Sequence, residues 1–253
     1  MSLWSETLGV GPELVLLHGW GMNAAVWQPL LPGLQERFRV TLVELPGHGE
    51  SPSLGGGLDD WVRACLQVAP AQAAWLGWSL GGLLAQRAAL LAPQRIRQLC
   101  LVTATPSFVQ REGWSRAMSR AVFEQFAQAL TEDAPATLRR FLSLQVKNTE
   151  DARTLLRTLN GALAQRRAPD AAGLEQGLRL LLEGDLRADL AKLAVPSNWL
   201  FGGRDTLVPA GVADEINARA PAARVEMIES AGHAPFLSHP YQTLQWLEAA
   251  CGH

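Results

Sequence analysis

Short apolar runs that end in glycine-rich turns alternate along this chain with longer segments carrying apolar residues at helical spacing, and few architectures accept that order. The runs are 14–17, 40–43, 73–77, 99–103, 197–201 and 224–228. Each is short enough to be a strand buried on both faces. Between them, 24–37, 59–68, 80–91, 212–220 and 240–250 read as helices. This repetition predicts βαβ units: an α/β fold with a mainly parallel, twisted sheet flanked by helices. From about 106 to 187 the rhythm stops, and the chain reads instead as amphipathic helices at 114–130, 136–146, 150–165 and 171–182. Such an insertion after a strand predicts an all-helical cap over the carboxyl end of the sheet, where open α/β sheets bind ligands. The expected division is a core of 1–105 and 188–253 with the cap, 106–187, inserted into it.

Composition narrows the class. With 253 residues, 48% of them hydrophobic, the chain can bury one large core. A net charge of -2, from 22 basic and 24 acidic residues, supplies no global field for nucleic acid or an anionic membrane. Cys65, Cys100 and Cys251 are widely spaced and odd in number, which suits neither a disulfide framework nor a metal site. The histidines lack ligand spacing, so no metal and no organic cofactor is expected. Without a basic-flanked leader or an 18-residue apolar run, the chain reads as a cytoplasmic protein, and we expect a monomer.

The strongest chemical signal is Gly77-Trp78-Ser79-Leu80-Gly81, which follows an apolar run and opens a helical one. A serine at the tip of a sharp strand-to-helix turn adopts strained backbone angles, and a β-carbon two residues to either side would strike neighbouring chain. The turn also sets the hydroxyl at a helix N-terminus, where free N–H groups favour developing negative charge. A serine hydroxyl needs an imidazole to take its proton and a carboxylate to hold that imidazole's tautomer. Asp205, in Gly202-Gly203-Arg204-Asp205, and His233, in Ser230-Ala231-Gly232-His233, each lie just past a late strand candidate. Taken singly, Asp205 reads equally as a turn or helix-capping aspartate and His233 as a hydrogen-bonded core histidine. Their occurrence with Ser79 in the order Ser, Asp, His selects the catalytic reading. Acyl transfer also needs donors for the oxyanion. The N–H of Leu80 is one, and the loop His18-Gly19-Trp20-Gly21 after an early strand candidate offers the N–H of Trp20. The Trp20 indole fits either a wall of the acyl pocket or the core, and His18 reads as a buttress of this loop.

Those motifs, with Leu45-Pro46-Gly47-His48-Gly49-Glu50-Ser51, resemble the α/β-hydrolase superfamily over nearly the whole chain. More narrowly, His18-Gly19-Trp20-Gly21, the tryptophan before Ser79 and Arg140-Phe141-Leu142-Ser143-Leu144-Gln145 resemble esterases that cleave the methyl ester of pimeloyl-acyl-carrier protein in biotin synthesis. That resemblance implies a serine-dependent carboxylic ester hydrolase that releases methanol. It implies substrate contacts from Trp20, Trp78, Ser79, Leu80, His233, Phe126 and the stretch Phe141, Leu142, Ser143, Leu144 and Gln145. It also implies a transient grip on the acidic carrier protein by Arg139, Arg140, Arg153 and Arg157. Charge agrees with this: 107–187 holds 12 basic and 10 acidic residues, +2, leaving 10 and 14, -4, for the remainder. Arg139, Arg140 and Arg157 have no acid three or four positions away, and Arg153 has only Glu150. Arg153 and Arg157 form a like-charge pair one turn apart, which a phosphate or an acidic helix would relieve. The same residues also suit an ordinary solvated face. One arginine the resemblance leads us to expect is missing, since position 136 is Ala136. A general short-chain carboxylesterase, a carbon–carbon bond hydrolase and a non-catalytic ligand receptor share these motifs. A haloalkane dehalogenase would need aspartate at 79.

Overall fold

The structure, a computed structural model, describes residues 2–252. The strands are β1 (Ser5–Leu8), β2 (Glu13–Leu17), β3 (Arg39–Val43), β4 (Ala73–Trp78), β5 (Ile96–Val102), β6 (Ser197–Gly202) and β7 (Arg224–Ile228). The helices are α1 (Leu31–Gln35), α2 (Leu58–Val68), α3 (Leu80–Leu91), α4 (Arg120–Glu132), α5 (Ala134–Gln145), α6 (Ala152–Leu163), α7 (Ala171–Glu183), α8 (Val212–Arg219), α9 (Pro235–Ser238) and α10 (Pro240–Cys251). They surround one sheet of seven strands in the order β1-β3-β2-β4-β5-β6-β7. Only β1 runs antiparallel, against β3. β4 and β6 are buried along their whole length, as strands covered on both faces must be.

Four helices, α4 to α7, lie between β5 and β6. The insertion is pinned to the core at several polar points. Asp170 caps α7 through Gly173 N at 2.7 Å, takes a hydrogen bond from Ser53 Oγ, and donates its own N–H to Gly47 O at 2.9 Å. Arg166 reaches the fully buried Glu44 at 3.4 Å and Glu6 at 3.3 Å, with its guanidinium over the Trp4 ring. Glu44 is held further by the N–H groups of Ala24 and Glu50, while burial raises its carboxyl above the usual range.

The structure departs from the sequence reading in several places, among them β7, which lies at the sheet edge and is half-exposed rather than buried on both faces, and the short helix α9, which no helical run foretold. β1 was not expected, because Ser-Glu-Thr-Leu is an exposed edge strand without an apolar run. The expected helix 24–37 is two pieces: a 3₁₀ turn, Ala24–Trp27, capped by Asn23, and α1 with Pro32 in its first turn. The helix expected from 114 starts only at Arg120. The preceding loop folds on itself, Gln110 N to Met118 O at 2.7 Å, with the buried Trp114 indole donating to Ser107 O at 2.9 Å.

Candidate active site

Ser79 sits between β4 and α3 with φ 54° and ψ -116°, a conformation L-residues adopt only under constraint, at a cost of about 1–3 kcal/mol. The constraint is close packing. A β-carbon at Gly77 would lie 2.5 Å from Gly81 O and 2.6 Å from Gly82 Cα, and one at Gly81 would overlap the carbonyls of Leu17 and His18. The glycines therefore let the turn close and press the start of α3 against the end of β2. The Ser79 carbonyl accepts from Gly82 N and Leu83 N, which starts the helix. Its hydroxyl thus stands at the positive end of α3.

The acid and the histidine come from the loops after β6 and β7. Asp205 Oδ1 accepts Leu207 N at 2.7 Å and Val208 N at 3.1 Å, and Oδ2 lies 2.7 Å from His233 Nδ1. Both side chains are fully buried. Nδ1 facing a carboxylate carries the proton, which leaves Nε2 as the acceptor. The His233 carbonyl receives Trp78 Nε1–H at 2.8 Å and Thr103 Oγ1–H at 2.7 Å, and the Trp78 and His233 rings lie 5.7 Å apart. The residue beside Ser79 thus anchors the histidine loop. Among the described residues Nε2 has no hydrogen-bond partner. Arrangement and tautomer together suit a base for a serine nucleophile.

The loop after β2 completes the site. His18 Nδ1 donates to Gly19 O at 2.8 Å and Nε2 accepts Leu45 N at 3.0 Å. His48 Nδ1 donates to Pro46 O at 2.9 Å and Nε2 accepts Gly21 N at 3.1 Å. Both rings are neutral: burial pushes His18 down to about 3 and His48 down to about 4. They tie residues 18–21 to 44–48 from either side, as expected for His18. Among the described residues the N–H groups of Trp20 and Leu80 meet no protein acceptor, which leaves both available for an oxyanion.

A cavity of about 180 Å³, mostly apolar, opens between Ser79 and the insertion. Of the expected substrate contacts, Trp20, Ser79, Phe126, Phe141 and Leu144 line it, and Arg140 stands on its wall. The Trp20 ring meets Phe126 at 5.5 Å and Phe141 at 4.9 Å edge to face, while its Nε1–H donates to Leu174 O at 2.8 Å. Trp78, Leu80, Leu142, Ser143, Gln145 and His233 are not among the residues that line the cavity. Trp78 is a core side chain, packed against Trp27 and Phe236 and bonded to the histidine loop. Leu80 is fully buried and His233 faces Asp205. Ser143 Oγ–H turns back to Arg140 O at 2.6 Å, Leu142 packs on the core, and Gln145 is buried with its amide on Phe141 O. Wall residues that the sequence did not single out include Phe108, Phe123, Leu178, Leu181 and Leu207. For Leu178 and Leu181 the helical spacing of leucines on α7 was the only signal. Arg139, Arg140, Arg153 and Arg157 are all exposed, and among the described residues none has an ion-pair partner.

Comparison with known proteins places this geometry. The family described as alpha/beta hydrolase fold matches residues 12–240. A protein of Aeromonas hydrophila called pimeloyl-[acyl-carrier protein] methyl ester esterase is 43% identical over 256 residues, covering 100% of each chain. Its Xanthomonas campestris namesake is 45% identical over 244 residues, 96% of each chain. Among solved structures, an esterase from Exiguobacterium antarcticum superposes with a TM-score of 0.87 at 24% identity, covering 99% of this chain and 96% of that one. A hydrolase from Pseudomonas aeruginosa gives 0.84 at 26% identity, covering 99% and 94%. A strained serine after β4, a buried Asp–His pair from the later loops and a family match across most of the sequence agree: the chain belongs to the α/β-hydrolase family.

Proposed function

We propose that this enzyme hydrolyses the methyl ester of pimeloyl-acyl-carrier protein, as its relatives' names describe, by a Ser79-His233-Asp205 acyl-enzyme mechanism. His233 Nε2 takes the Ser79 proton as Oγ attacks the ester carbonyl, and Asp205 steadies the resulting imidazolium. The N–H groups of Trp20 and Leu80 hold the oxyanion, a role worth about 3 kcal/mol of barrier per donor. His233 then protonates the departing methoxide, and water releases the acid. Residues 106–187 form the cap over a core of 1–105 and 188–253. All of these groups come from one chain, which suits action as a monomer, and three free cysteines suit a reducing compartment such as the cytoplasm. Among the described residues no helix is long and apolar enough to cross a membrane.

The observation that carries the carrier-bound reading is that Ser79 shares one apolar cavity with Arg140, which like Arg139, Arg153 and Arg157 is exposed and has no ion-pair partner among the described residues. The acyl chain would fill the cavity while Arg139, Arg140, Arg153 and Arg157 receive the carrier and its phosphopantetheine phosphate. The test compares pimeloyl-carrier-protein methyl ester with a p-nitrophenyl ester for wild type and the double variant Arg153→Ala, Arg157→Ala. Loss of kcat/KM confined to the carrier-bound ester is expected. Equal loss on both substrates, or no turnover of the carrier-bound ester by wild type, would reduce the reading to a general carboxylesterase.

A further inference from the structure

A second imidazole, that of His239, lies outside the triad, yet it spends both nitrogens on the segment that carries His233. Its Nε2 is 2.8 Å from Ser230 Oγ and its Nδ1 is 2.8 Å from Ser238 Oγ. Burial keeps the ring below its ordinary range, with Glu150 opposing and Arg204 assisting, so at neutral pH one nitrogen donates while the other accepts. Between the two serines every residue from 231 to 237 is buried, His233 among them, whereas Ser230, Ser238 and His239 are half-buried. The ring thus closes the buried segment at both of its ends.

That closure matters because 229–234 lies in no helix or strand and α9 is a single turn. Trp78 and Thr103 fix the His233 carbonyl, which pins one atom and leaves the chain free to pivot about it. The imidazole, by contrast, stands on firm support. The His239 carbonyl accepts Thr243 N at 3.0 Å and Thr243 Oγ1–H at 2.9 Å at the start of α10, and Thr243 is fully buried. Its bond to Ser230 therefore ties the entry of the histidine loop to α10, nine positions further on. The Ser238 bond joins neighbours in the chain and constrains little.

We infer that His239 is a positioning residue for the catalytic base: its bond to Ser230 holds the loop in the shape that presents His233 to Asp205 and Ser79. This rests on the Ser79-His233-Asp205 reading above but not on the identity of the acyl group. Proton transfer needs the base within hydrogen-bond reach of the hydroxyl, and a misplacement of about 1 Å costs up to about 100-fold in rate.

The test keeps one arm of the ring at a time. His239→Gln sets an amide where Nε2 stood and preserves the Ser230 bond; His239→Asn sets it where Nδ1 stood and preserves only the bond to Ser238. Turnover of a p-nitrophenyl ester by wild type, and its loss in Ser79→Ala, checks the esterase reading independently. In His239→Asn we expect kcat to fall about 10-fold to about 100-fold with KM unchanged, while His239→Gln stays near wild type. Ser230→Ala should match the loss in His239→Asn, Ser238→Ala should not, and the double variant Ser230→Ala, His239→Asn should lose no more than either single one. Equal kcat in His239→Gln and His239→Asn, or wild-type kcat in Ser230→Ala, would overturn the inference. So would losses of kcat that merely track the melting temperature across the four single variants.

Discussion

Asp205 spends both carboxylate oxygens: one on Leu207 N and Val208 N, the other on His233 Nδ1. The first pair holds its loop in shape, so only the second touches chemistry. Asp205→Asn is therefore expected to leave the fold intact and to lower kcat by about 10⁴-fold, because an amide stabilises the wrong imidazole tautomer. Steady-state kinetics beside a thermal melt checks this; a loss of ten-fold or less, with the melt unchanged, contradicts it. At this scale the loop positions of Ser79, Asp205 and His233 and the Asp205–His233 pair were legible because turn chemistry exposes them: glycines around Ser79, a Gly-rich turn before Asp205, Gly232 before His233. Trp78 and Gln145 were not legible as structural groups. Their hydrogen bonds reach, respectively, a loop more than 150 positions away and a carbonyl on their own helix. Spacing along the chain carries no trace of the first, and the second is common to any buried glutamine.

The loops 18–21 and 45–48 are joined by His18 and His48, whose hydrogen bonds need neutral rings. In the unfolded chain each would titrate near about 6.5. In the folded protein burial lowers them to about 3 and about 4, respectively. As pH falls below about 6.5 the unfolded chain binds protons that the folded one refuses, so their stabilisation is complete above that value. It drains away down to about 4 for His48 and about 3 for His18, at up to about 1.4 kcal/mol per pH unit each. Glu44, with a raised carboxyl, acts in the opposite sense and offsets part of the loss. Urea unfolding is expected to show lower stability at about pH 5 than at about pH 7, with a smaller difference in His48→Gln. An identical difference in the two proteins would rule out His48 as a source. Elements with buried apolar runs, β2 to β6, were readable in advance, as was the half-exposed β7 from its short alternation, while β1, built from exposed polar residues, was not. The faces that α4 and α7 turn to the cavity depend on how helices of one insertion cross, which periodicity leaves open.

For the molecule as a whole, net charge says little and its distribution says more. The chain carries -2, yet 107–187 carries +2, and its Arg139, Arg140, Arg153 and Arg157 lack ion-pair partners among the described residues. If those arginines receive an acidic carrier, raising salt from about 0.1 M to about 1 M, which cuts the Debye length from about 10 Å to about 3 Å, should raise KM for the carrier-bound ester several-fold. KM for a neutral p-nitrophenyl ester should hardly move; parallel changes would point to a general salt effect. The helical insertion was legible as a break in rhythm, and its position over Ser79 followed from where sheets of this kind bind ligands. Its contacts with the core, through Arg166, Asp170 and Gly173, were not legible, because each joins segments more than 100 residues apart. The proposed function turns on one hydroxyl, that of Ser79. Fluorophosphonate labelling followed by intact mass and peptide mapping tests it most directly: wild type should gain one adduct, on Ser79, and Ser79→Ala none. A wild-type protein that stays unlabelled, or a Ser79→Ala variant labelled at the same rate, would contradict the account.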